Sequence, residues 1–323
     1  MNRLSPYALG ATLYMPGTRD DLEQILLHRK LPQVRSLVIC LEDSVCAANV
    51  DIALTRLRRL LERMAVCREA SSGRPLVFVR PRNVDMAARL SAWPGIGALD
   101  GFVIPKLRLG DLSAWASALS HPGLALMPTL ETSEVFHPNA MAELGEAMKA
   151  VFGPRILALR IGGNDLLGVL GLRRDPAGTL YRGPMGYVVP MLVSVLGGLG
   201  FSLTAPVFEL LQAPGLLKEE LALDIAHGLV GKTAIHPSQI PLIHNALRVT
   251  EADLATARSI LDAASPAVFQ RNGAMCEPAT HRAWALRLLE RARWQGVHGA
   301  PDTPAPFNSC MEEQQGATHG THP

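Results

Sequence analysis

The stretch LALMPTLETSEVF, residues 124–136, begins as a continuous apolar strand and then places an acid, Glu131, where the apolar run stops. Strands that are apolar on both faces are typical of parallel sheets covered by helices on both sides. Burying an unpaired carboxylate is costly or shifts its pKa, so Glu131 needs a partner, open water or a chemical function. The stretch therefore predicts a buried parallel strand that carries a candidate functional acid at its end.

Eight apolar, strand-like runs recur along the chain, and amphipathic helix-like stretches alternate with them. The runs cover residues 12–17, 36–45, 76–83, 101–106, 124–132, 156–166, 201–209 and 229–237, and helix-like stretches include 20–31, 53–64 and 139–152. Eight strands alternating with helices favour a closed barrel over an open doubly wound sheet. We therefore predict an α/β fold, a (β/α)8 TIM barrel with extra C-terminal helices.

The chain divides into three predicted regions. Residues 1–250 form the TIM-barrel catalytic domain. Residues 251–297 hold two further helices, at 253–264 and 280–294, as an extension used in oligomer contacts. Residues 298–323 are rich in Pro, Gly, Thr and His with little apolar content, which predicts a disordered tail.

Composition limits the classes of function. The 323 residues are 48% hydrophobic and 19% charged with a net charge of +2, and no basic stripe stands out, so we expect no nucleic-acid partner. No apolar run approaches the ~20 residues that span a membrane, and no secretory signal is recognisable, which favours a cytoplasmic protein without a membrane partner. The five cysteines lack paired spacing and are expected to be reduced thiols.

Charged side chains follow the carboxyl end of nearly every predicted strand. They are Glu42 and Asp43 after strand two, Arg80 and Arg82 after three, Lys106 after four, Glu131 after five, Asp165 after six, and Lys232 and His236 after eight. In a barrel, the chemistry is carried at this end of the strands. The ring of charges therefore predicts an active site.

Strands five and six should be neighbours, ~4.8 Å apart, so Glu131 and Asp165 could reach one cation together. Ligation by two carboxylates, with water and substrate in the other positions, is typical of Mg²⁺. No Cys or His cluster has zinc spacing. The glycines before Asp165, Gly162 and Gly163, would let backbone or ligand approach closely.

Structural alternatives remain open for these acids. Glu131 and Asp165 could form ion pairs with nearby cations, the candidates being Arg80, Arg160 and Lys106. Asp165 could instead be the N-cap of the helix that follows. Glu42 and Asp43 could cap the helix after strand two or hold cationic groups in place.

The segment AHGLVGKT, residues 226–233, resembles a P-loop, which would give a nucleotide-binding protein. The P-loop pattern needs glycine where Ala226 stands and a helix after the threonine, but AIHP continues as strand and reaches a proline. We expect Gly231 and Lys232 to shape the barrel rim, and His236 to cap the turn into the helix from Ser238. A barrel that has lost its reaction and serves as a scaffold is a second alternative.

The order of short blocks resembles the HpcH/HpaI aldolase and citrate lyase β-subunit family, and most closely its citrate lyase β-like (CitE-like) branch of TIM-barrel C–C bond lyases. The blocks are YMPG, CLEDSV, FVRPRN, VIPK, TLET, GGNDL and GKTAIHPSQI, in register through roughly residues 10–295. The most specific are LEDSV and GKTAIHPSQ.

This resemblance implies a Mg²⁺-dependent enzyme that makes or breaks a carbon–carbon bond beside a carbonyl, often in acyl-CoA thioesters. The family's metal acids fall on Glu131 and Asp165, and its substrate arginine on Arg80. The acidic pair falls on Glu42 and Asp43. The further residues expected to bind substrate are Lys106, Gly163 and Asn164.

The resemblance also implies a homotrimer or homohexamer in which a C-terminal segment lends an acid to the neighbouring subunit. The family block reads G-x-M, an apolar residue and Asp, whereas this chain has GAMCEP, so Glu277 stands at the Asp position. Strand seven lacks a family Asp, and VRPRN carries an added proline and arginine. A CoA thioester and a free 2-oxo acid both remain open as the substrate.

The expected reaction is a retro-aldol or retro-Claisen cleavage. Mg²⁺ on Glu131 and Asp165 would bind the 2-oxo-carboxylate portion and act as a Lewis acid. Arg80 would hold a carboxylate or the developing enolate oxygen. Glu277 of a neighbour, or a water, would be the general acid and base. Lys106 could form a Schiff base, but the two acids favour the metal route.

Overall fold

A computed structural model describes residues 4–66 and 73–300. Eight parallel strands form its main sheet: β1 (Gly10–Pro16), β2 (Ser36–Cys40), β3 (Leu76–Arg80), β4 (Gly101–Ile104), β5 (Ala125–Leu130), β6 (Leu159–Ile161), β7 (Leu203–Thr204) and β8 (Gly231–Ala234). Their order is β7-β6-β5-β4-β3-β2-β1-β8. A bridge between Ala205 and Lys232 joins the two end strands, so the sheet closes on itself. The predicted (β/α)8 barrel is confirmed.

Helices surround this barrel and extend past it. They are α1 (Leu22–Leu26), α2 (Val50–Val66), α3 (Val84–Ser91), α4 (Leu112–Ala118), α5 (Pro138–Phe152), α6 (Gly163–Val169), α7 (Met185–Gly198), α8 (Pro214–Ala226), α9 (Gln239–Leu247), α10 (Glu251–Leu261) and α11 (Pro278–Gln295). None of the described helices is long and apolar enough to cross a membrane.

The strands are buried on both faces, as their near-continuous apolar sequences predict. Val38, Phe78 and Met127 pack together inside the barrel. Leu37 and Val79, one residue away along the same strands, pack instead in the larger core between the sheet and the helices. This alternation follows from the two-residue repeat of a strand. It decides which strand residues can reach the site.

Several elements are shorter than the sequence predicts. β7 is confined to Leu203–Thr204, and Pro206 follows, whose missing N–H cannot continue a ladder. β6 ends at Ile161, and α6 begins at Gly163, so the GGND segment opens a helix. The helix predicted at 20–31 stops at Leu26, and Arg29 beyond it has a left-handed backbone with φ +50°.

The two predicted C-terminal helices are present as α10 and α11, with a core of their own around Leu254, Ala257 and Ile260. Between them lies a hairpin that the sequence analysis did not predict, β9 (Phe269–Arg271) with β10 (Ala274–Cys276). The end of α11 reaches the amino-terminal end of the barrel, where Arg35 Nη1 donates to the Trp294 carbonyl at 3.1 Å. The predicted boundary at residue 250 falls between α9 and α10.

Two predictions concern residues that the structure covers only in part. Cys40, Cys46 and Cys276 are free thiols, and the other two cysteines lie outside the described residues. Of the tail predicted for residues 298–323, residues 301–323 also lie outside them.

Candidate active site

A cavity of about 530 Å³ lies at the carboxyl-terminal end of the barrel. The predicted site residues that line it are Asp43, Arg80, Glu131, Gly163, Asn164 and Asp165. Glu42 is ion-paired to Arg80 at this end of the barrel. These predicted residues therefore lie together at one end of the barrel.

Glu131 follows β5 and is only 4% exposed. One carboxylate oxygen, Oε1, accepts a hydrogen bond from the backbone N–H of Lys106 at 2.8 Å. Burial, reinforced by repulsion from Asp165, raises the pKa of Glu131 to about 7. Among the described residues no ion pair forms within 4.0 Å of Glu131, so the structural alternative of an ion-paired Glu131 is wrong.

Asp165 is the third residue of α6, whose N-cap position is taken by Gly162, so the N-cap alternative for Asp165 is also wrong. Its nearest cation is Lys106, with Nζ 4.0 Å from Oδ1. Gly163 packs against the chain itself, since a Cβ there would lie 2.8 Å from Cβ of Pro206. The glycines bring backbone close together beside the two acids.

Glu42 and Asp43 hold cations in place. Glu42 Oε2 lies 3.1 Å from Arg80 Nη1, and Glu42 Oε1 accepts from Lys106 Nζ at 2.6 Å. Asp43 accepts from the same ammonium at 3.2 Å. Neither acid caps the 3-10 turn that precedes α2, whose N-cap is Cys46. Of the two alternatives for this pair, the structure supports the second.

Arg80 is fixed by more than Glu42. Its Nε and Nη2 atoms contact Cys40 Sγ at 3.3 and 3.1 Å, and its guanidinium carbon lies 5.3 Å from the centroid of the Tyr14 ring. These contacts restrict the planar fork to one orientation beside the cavity. A fixed guanidinium is suited to two-point binding of a carboxylate.

Lys106 acts on the site through both its backbone and its side chain. It adopts a left-handed backbone with φ +48°, which is rare for a residue with a side chain and is typical of functional sites. Burial alone would lower the pKa of Lys106, but hydrogen bonds and charges from Glu42 and Asp43 outweigh it and raise the pKa. A Schiff base needs a neutral amine, so these partners disfavour that route.

Arg82 has a role that its place after β3 did not reveal. Its guanidinium donates to the backbone carbonyls of Leu41 at 3.4 Å, Glu42 at 3.3 Å and Val45. The side chain therefore ties down the loop that carries Glu42 and Asp43. Arg82 does not line the cavity.

The floor of the cavity holds polar residues that the sequence analysis did not assign to the site. Arg160 on β6 is 2% exposed, lines the cavity and donates to the hydroxyl of Thr233. Its guanidinium carbon lies 5.1 Å from the centroid of the Tyr14 ring. Thr129 on β5 also lines the cavity. No signal in the sequence identified them, because strands that are apolar on both faces do not reveal which residues point into the barrel.

Lys232 does not belong to the ring of charges, contrary to expectation. It is 1% exposed and lies between β8 and α8, with Nζ 3.0 Å from Glu220 and 2.8 Å from Asp224. Arg174 joins this buried network through Glu220 and through Glu209 at 2.8 Å. The phase of the strand explains the error, because Lys232 faces outward while its neighbour Thr233 faces the cavity.

The P-loop alternative fails for the reasons that the sequence indicated. Residues 231–234 form strand β8, and Thr233 lies within it, with the next helix, α9, beginning only at Gln239. Lys232 is committed to buried acids and cannot reach a phosphate. His236 Nδ1 contacts the Ser238 hydroxyl at 2.8 Å and accepts from its backbone N–H, which confirms its predicted place in the turn before α9.

Glu277 lies away from the cavity of its own chain, just before α11. Its carboxylate accepts a hydrogen bond from the Thr280 hydroxyl at 2.6 Å. Two exposed apolar side chains belong to the segment that precedes it, Val268 just before β9 and Met275 within β10.

Comparison with known proteins identifies relatives of the whole barrel. The chain is 31% identical over 287 residues to a citrate lyase subunit beta-like protein of Deinococcus radiodurans, covering 83% of this chain and 90% of that protein. It is 25% identical over 251 residues to a (3S)-malyl-CoA thioesterase of Cereibacter sphaeroides, covering 76% and 80% of the two chains.

A solved structure shares the fold at lower sequence identity. The protein CitE from Mycobacterium tuberculosis, in complex with magnesium, acetoacetate and coenzyme A, aligns with a TM-score of 0.64 and 22% identity. The alignment covers 88% of this chain and 99% of that one. The family model of C–C bond lyases of the TIM-barrel fold matches residues 3–297. The chain therefore belongs to the TIM-barrel C–C bond lyase family that includes the citrate lyase β-like proteins.

Proposed function

We propose that this protein is a Mg²⁺-dependent carbon–carbon lyase that cleaves a 2-oxo-acid or acyl-CoA type substrate by a retro-aldol or retro-Claisen reaction. The observation that carries the proposal is the convergence of Glu131, Asp165 and Arg80 on one cavity. Two acids there could bind a divalent cation, and a fixed guanidinium could bind the anionic substrate beside it.

The donor atoms fit a hard cation. Glu131 has no counter-ion within 4.0 Å among the described residues, and Asp165 has only the ammonium of Lys106 at that limit. The described part of the chain holds no cluster of three or more His, Cys, Asp or Glu arranged for a metal, so water and substrate would complete the coordination. This pattern suits Mg²⁺, which retains several waters. Bound there, Mg²⁺ would supply Lewis acidity to the 2-oxo group.

Residues of the chain would perform the rest of the reaction. Arg80 would bind a carboxylate or the developing enolate oxygen, and Glu42 would hold its fork in place. Gly163 and Asn164, at the start of α6, would contact the substrate from the wall of the cavity. Direct contact of Lys106 with substrate remains a prediction, since its ammonium bonds Glu42 and Asp43.

We further propose that the general acid and base is Glu277 of a neighbouring subunit in a homotrimer or homohexamer. Within one chain Glu277 does not line the cavity, so this role needs a second copy. The exposed Val268, 55% accessible, and Met275, 61% accessible, on the same segment support an interface there. Glutamate has the charge and proton chemistry that the family aspartate would supply.

The relatives support two forms of the substrate. The structurally similar CitE protein is complexed with acetoacetate and coenzyme A, and the Cereibacter relatives are malyl-CoA thioesterases. These relatives favour an acyl-CoA substrate, whereas the metal and arginine could equally serve a free 2-oxo acid. A catalytically inactive scaffold remains the alternative, and it would bind neither metal nor substrate at the cavity.

Calorimetric titration of oxaloacetate in the presence of Mg²⁺ tests the proposal. We expect binding whose heat disappears in EDTA and in Glu131→Gln and Asp165→Asn. The matched control is Glu134→Gln, which removes the charge of a partly exposed acid three residues from Glu131 that pairs with Arg108. Unchanged binding in EDTA, or equal losses in the control, would contradict a site on these acids.

A further inference from the structure

Arg160 is a buried cation without an acidic partner in the described part of the chain. It is 2% exposed on the inner face of β6, where it donates to the Thr233 hydroxyl, lies over the Tyr14 ring and contacts Met127 Sδ at 3.9 Å. No carboxylate of residues 4–66 and 73–300 lies within 4.0 Å of its guanidinium, and Glu131 acts on it only from further away. A buried charge is costly unless it is paired. An anionic ligand group could therefore supply the counter-charge that the described residues do not give Arg160.

A second polar group beside Arg160 also lacks a partner. Thr129 is the register neighbour of Arg160 on β5, lines the same cavity and is 4% exposed. Its hydroxyl forms no hydrogen bond with any described residue. Thr204 is the register neighbour on β7, and its buried hydroxyl is equally without a bond to the described part of the chain, but Thr204 does not line the cavity. Of the two, only Thr129 offers its unused hydroxyl to a ligand in the cavity.

The other charged side chains of the site have ion-pair partners or a proposed ligand. Arg80 is ion-paired with Glu42, and Lys106 with Glu42 and Asp43. Under the proposed function, Glu131 and Asp165 would share a divalent cation. Arg160 is then left as the cation at the cavity floor with no counter-charge among the described residues.

We propose that Arg160 and Thr129 form a subsite for a second anionic group of the substrate, distinct from the 2-oxo-carboxylate portion held near Glu131 and Asp165. This inference rests on the proposed function. The shared chemistry is an oxyanion, from either a carboxylate or a phosphonate, that accepts from the guanidinium fork and from the hydroxyl. A substrate with two anionic groups would satisfy both unpaired donors at once.

Three ligands with the same 2-oxo-acid head test the subsite. Pyruvate has no second anion, oxaloacetate adds a carboxylate, and phosphonopyruvate adds a phosphonate. Their affinities are measured by calorimetry at saturating Mg²⁺, together with the affinity for Mg²⁺ alone. In the unmodified protein we expect one of the two larger anions to bind at least about tenfold more tightly than pyruvate. The preferred one identifies the class of oxyanion.

Arg160→Gln should abolish this preference while leaving pyruvate and Mg²⁺ affinities within about threefold. If that variant fails to fold, Thr129→Val decides, with Thr204→Val as its matched control. Thr129→Val should reduce the preference, and Thr204→Val should not.

The preference could also be absent or insensitive to these changes. A preference that persists in Arg160→Gln, or that falls equally in both threonine variants, overturns the subsite. Mg²⁺-dependent binding of pyruvate that is as tight as the binding of the two larger anions overturns the subsite alone and leaves the proposed function standing. Failure of all three ligands to bind with Mg²⁺ overturns both.

Discussion

Gly162 and Glu131 are in such close contact that no side chain fits between them. A Cβ atom built on Gly162 would lie 2.4 Å from Cβ of Glu131 and 2.5 Å from its Oε2 atom. These distances are well below any normal van der Waals contact. Because Oε1 is held by the Lys106 N–H, a clash at Oε2 would push the whole carboxylate out of position.

Gly162→Ala should therefore weaken Mg²⁺ binding by about tenfold or more, the usual range for disturbing a group that orients a metal ligand. The backbone of Gly162 has φ −86°, which alanine adopts freely, so the effect is steric. Isothermal titration with Mg²⁺ measures it. Gly168→Ala, in α6, is the control, since a methyl group at that position would meet nothing within 4 Å among the described residues. Equal affinities in the two variants would contradict this role for Gly162.

The backbone of Lys106 predicts an unusual order of stability among its variants. A non-glycine residue in the left-handed region is strained, and glycine is not. Lys106→Gly and Lys106→Ala both remove the ammonium. The two variants then differ in how readily residue 106 adopts the left-handed conformation. We expect Lys106→Gly to be more stable than Lys106→Ala by about 1 kcal/mol in urea unfolding.

The exposed Lys218 on α8 provides the reverse control. In a helix, glycine is less favourable than alanine by about 1 kcal/mol, so Lys218→Ala should have a higher free energy of unfolding than Lys218→Gly. The same order at both positions would show that the left-handed conformation of Lys106 does not affect stability.

The convergence of the two candidate metal acids, Glu131 and Asp165, was predictable because one rule suffices to place them. The carboxyl ends of neighbouring parallel strands meet at one end of a barrel, so Glu131 and Asp165 converge whatever the details of each strand. Their backbone setting was not predictable. The left-handed turn at Lys106 depends on tertiary contacts, and the segment that holds Asp165 proved to be a helix instead of a strand end.

The wrong placement of Lys232 and the omission of Arg160 from the predicted site have a common physical cause. A strand changes face at every residue, so a shift of one position moves a side chain from the cavity to the outer core. An apolar strand buried on both faces gives no alternation from which to read that phase. Lys232 thus lies outside the barrel and Arg160 inside it, although both stand in similar apolar surroundings in the sequence.

The buried network outside the barrel should depend on Glu220. This carboxylate is 1% exposed and accepts from Lys232 at 3.0 Å, from the Leu180 N–H at 2.8 Å and from Arg174. Removing one member of a buried ion pair leaves its partners unsatisfied and costs about 3–5 kcal/mol. Glu220→Ala should lose stability of that order in urea unfolding.

The neighbouring Glu219 is exposed and provides the control, since Glu219→Ala should change stability by less than about 0.5 kcal/mol. Similar losses in both variants would contradict the role of the network.

His244 should make the protein sensitive to acid. Its Nε2 atom is buried without a hydrogen-bond partner in the described residues, near Gly10 and Gln295. Burial, with a smaller effect from the charge of Arg35, lowers the pKa of His244 to about 3 from an ordinary value of 6.5. Between these two values the unfolded chain binds a proton that the folded protein does not, so the free energy of unfolding falls as pH decreases.

This proton uptake lowers the free energy of unfolding by about 1.4 kcal/mol for each pH unit below pH 6.5, or by about 2 kcal/mol from pH 7 to pH 5. His244→Leu removes the titrating group. Between pH 7 and pH 5 this variant should therefore lose about 2 kcal/mol less stability than the unmodified protein, as measured by urea unfolding at the two pH values. All other titrating groups are shared and cancel in the comparison. His137→Leu, at an exposed position before α5, is the control and should keep the pH dependence of the unmodified protein. If His244→Leu loses as much stability between pH 7 and pH 5 as the unmodified protein, the acid sensitivity arises elsewhere, because a leucine at residue 244 has no proton to bind.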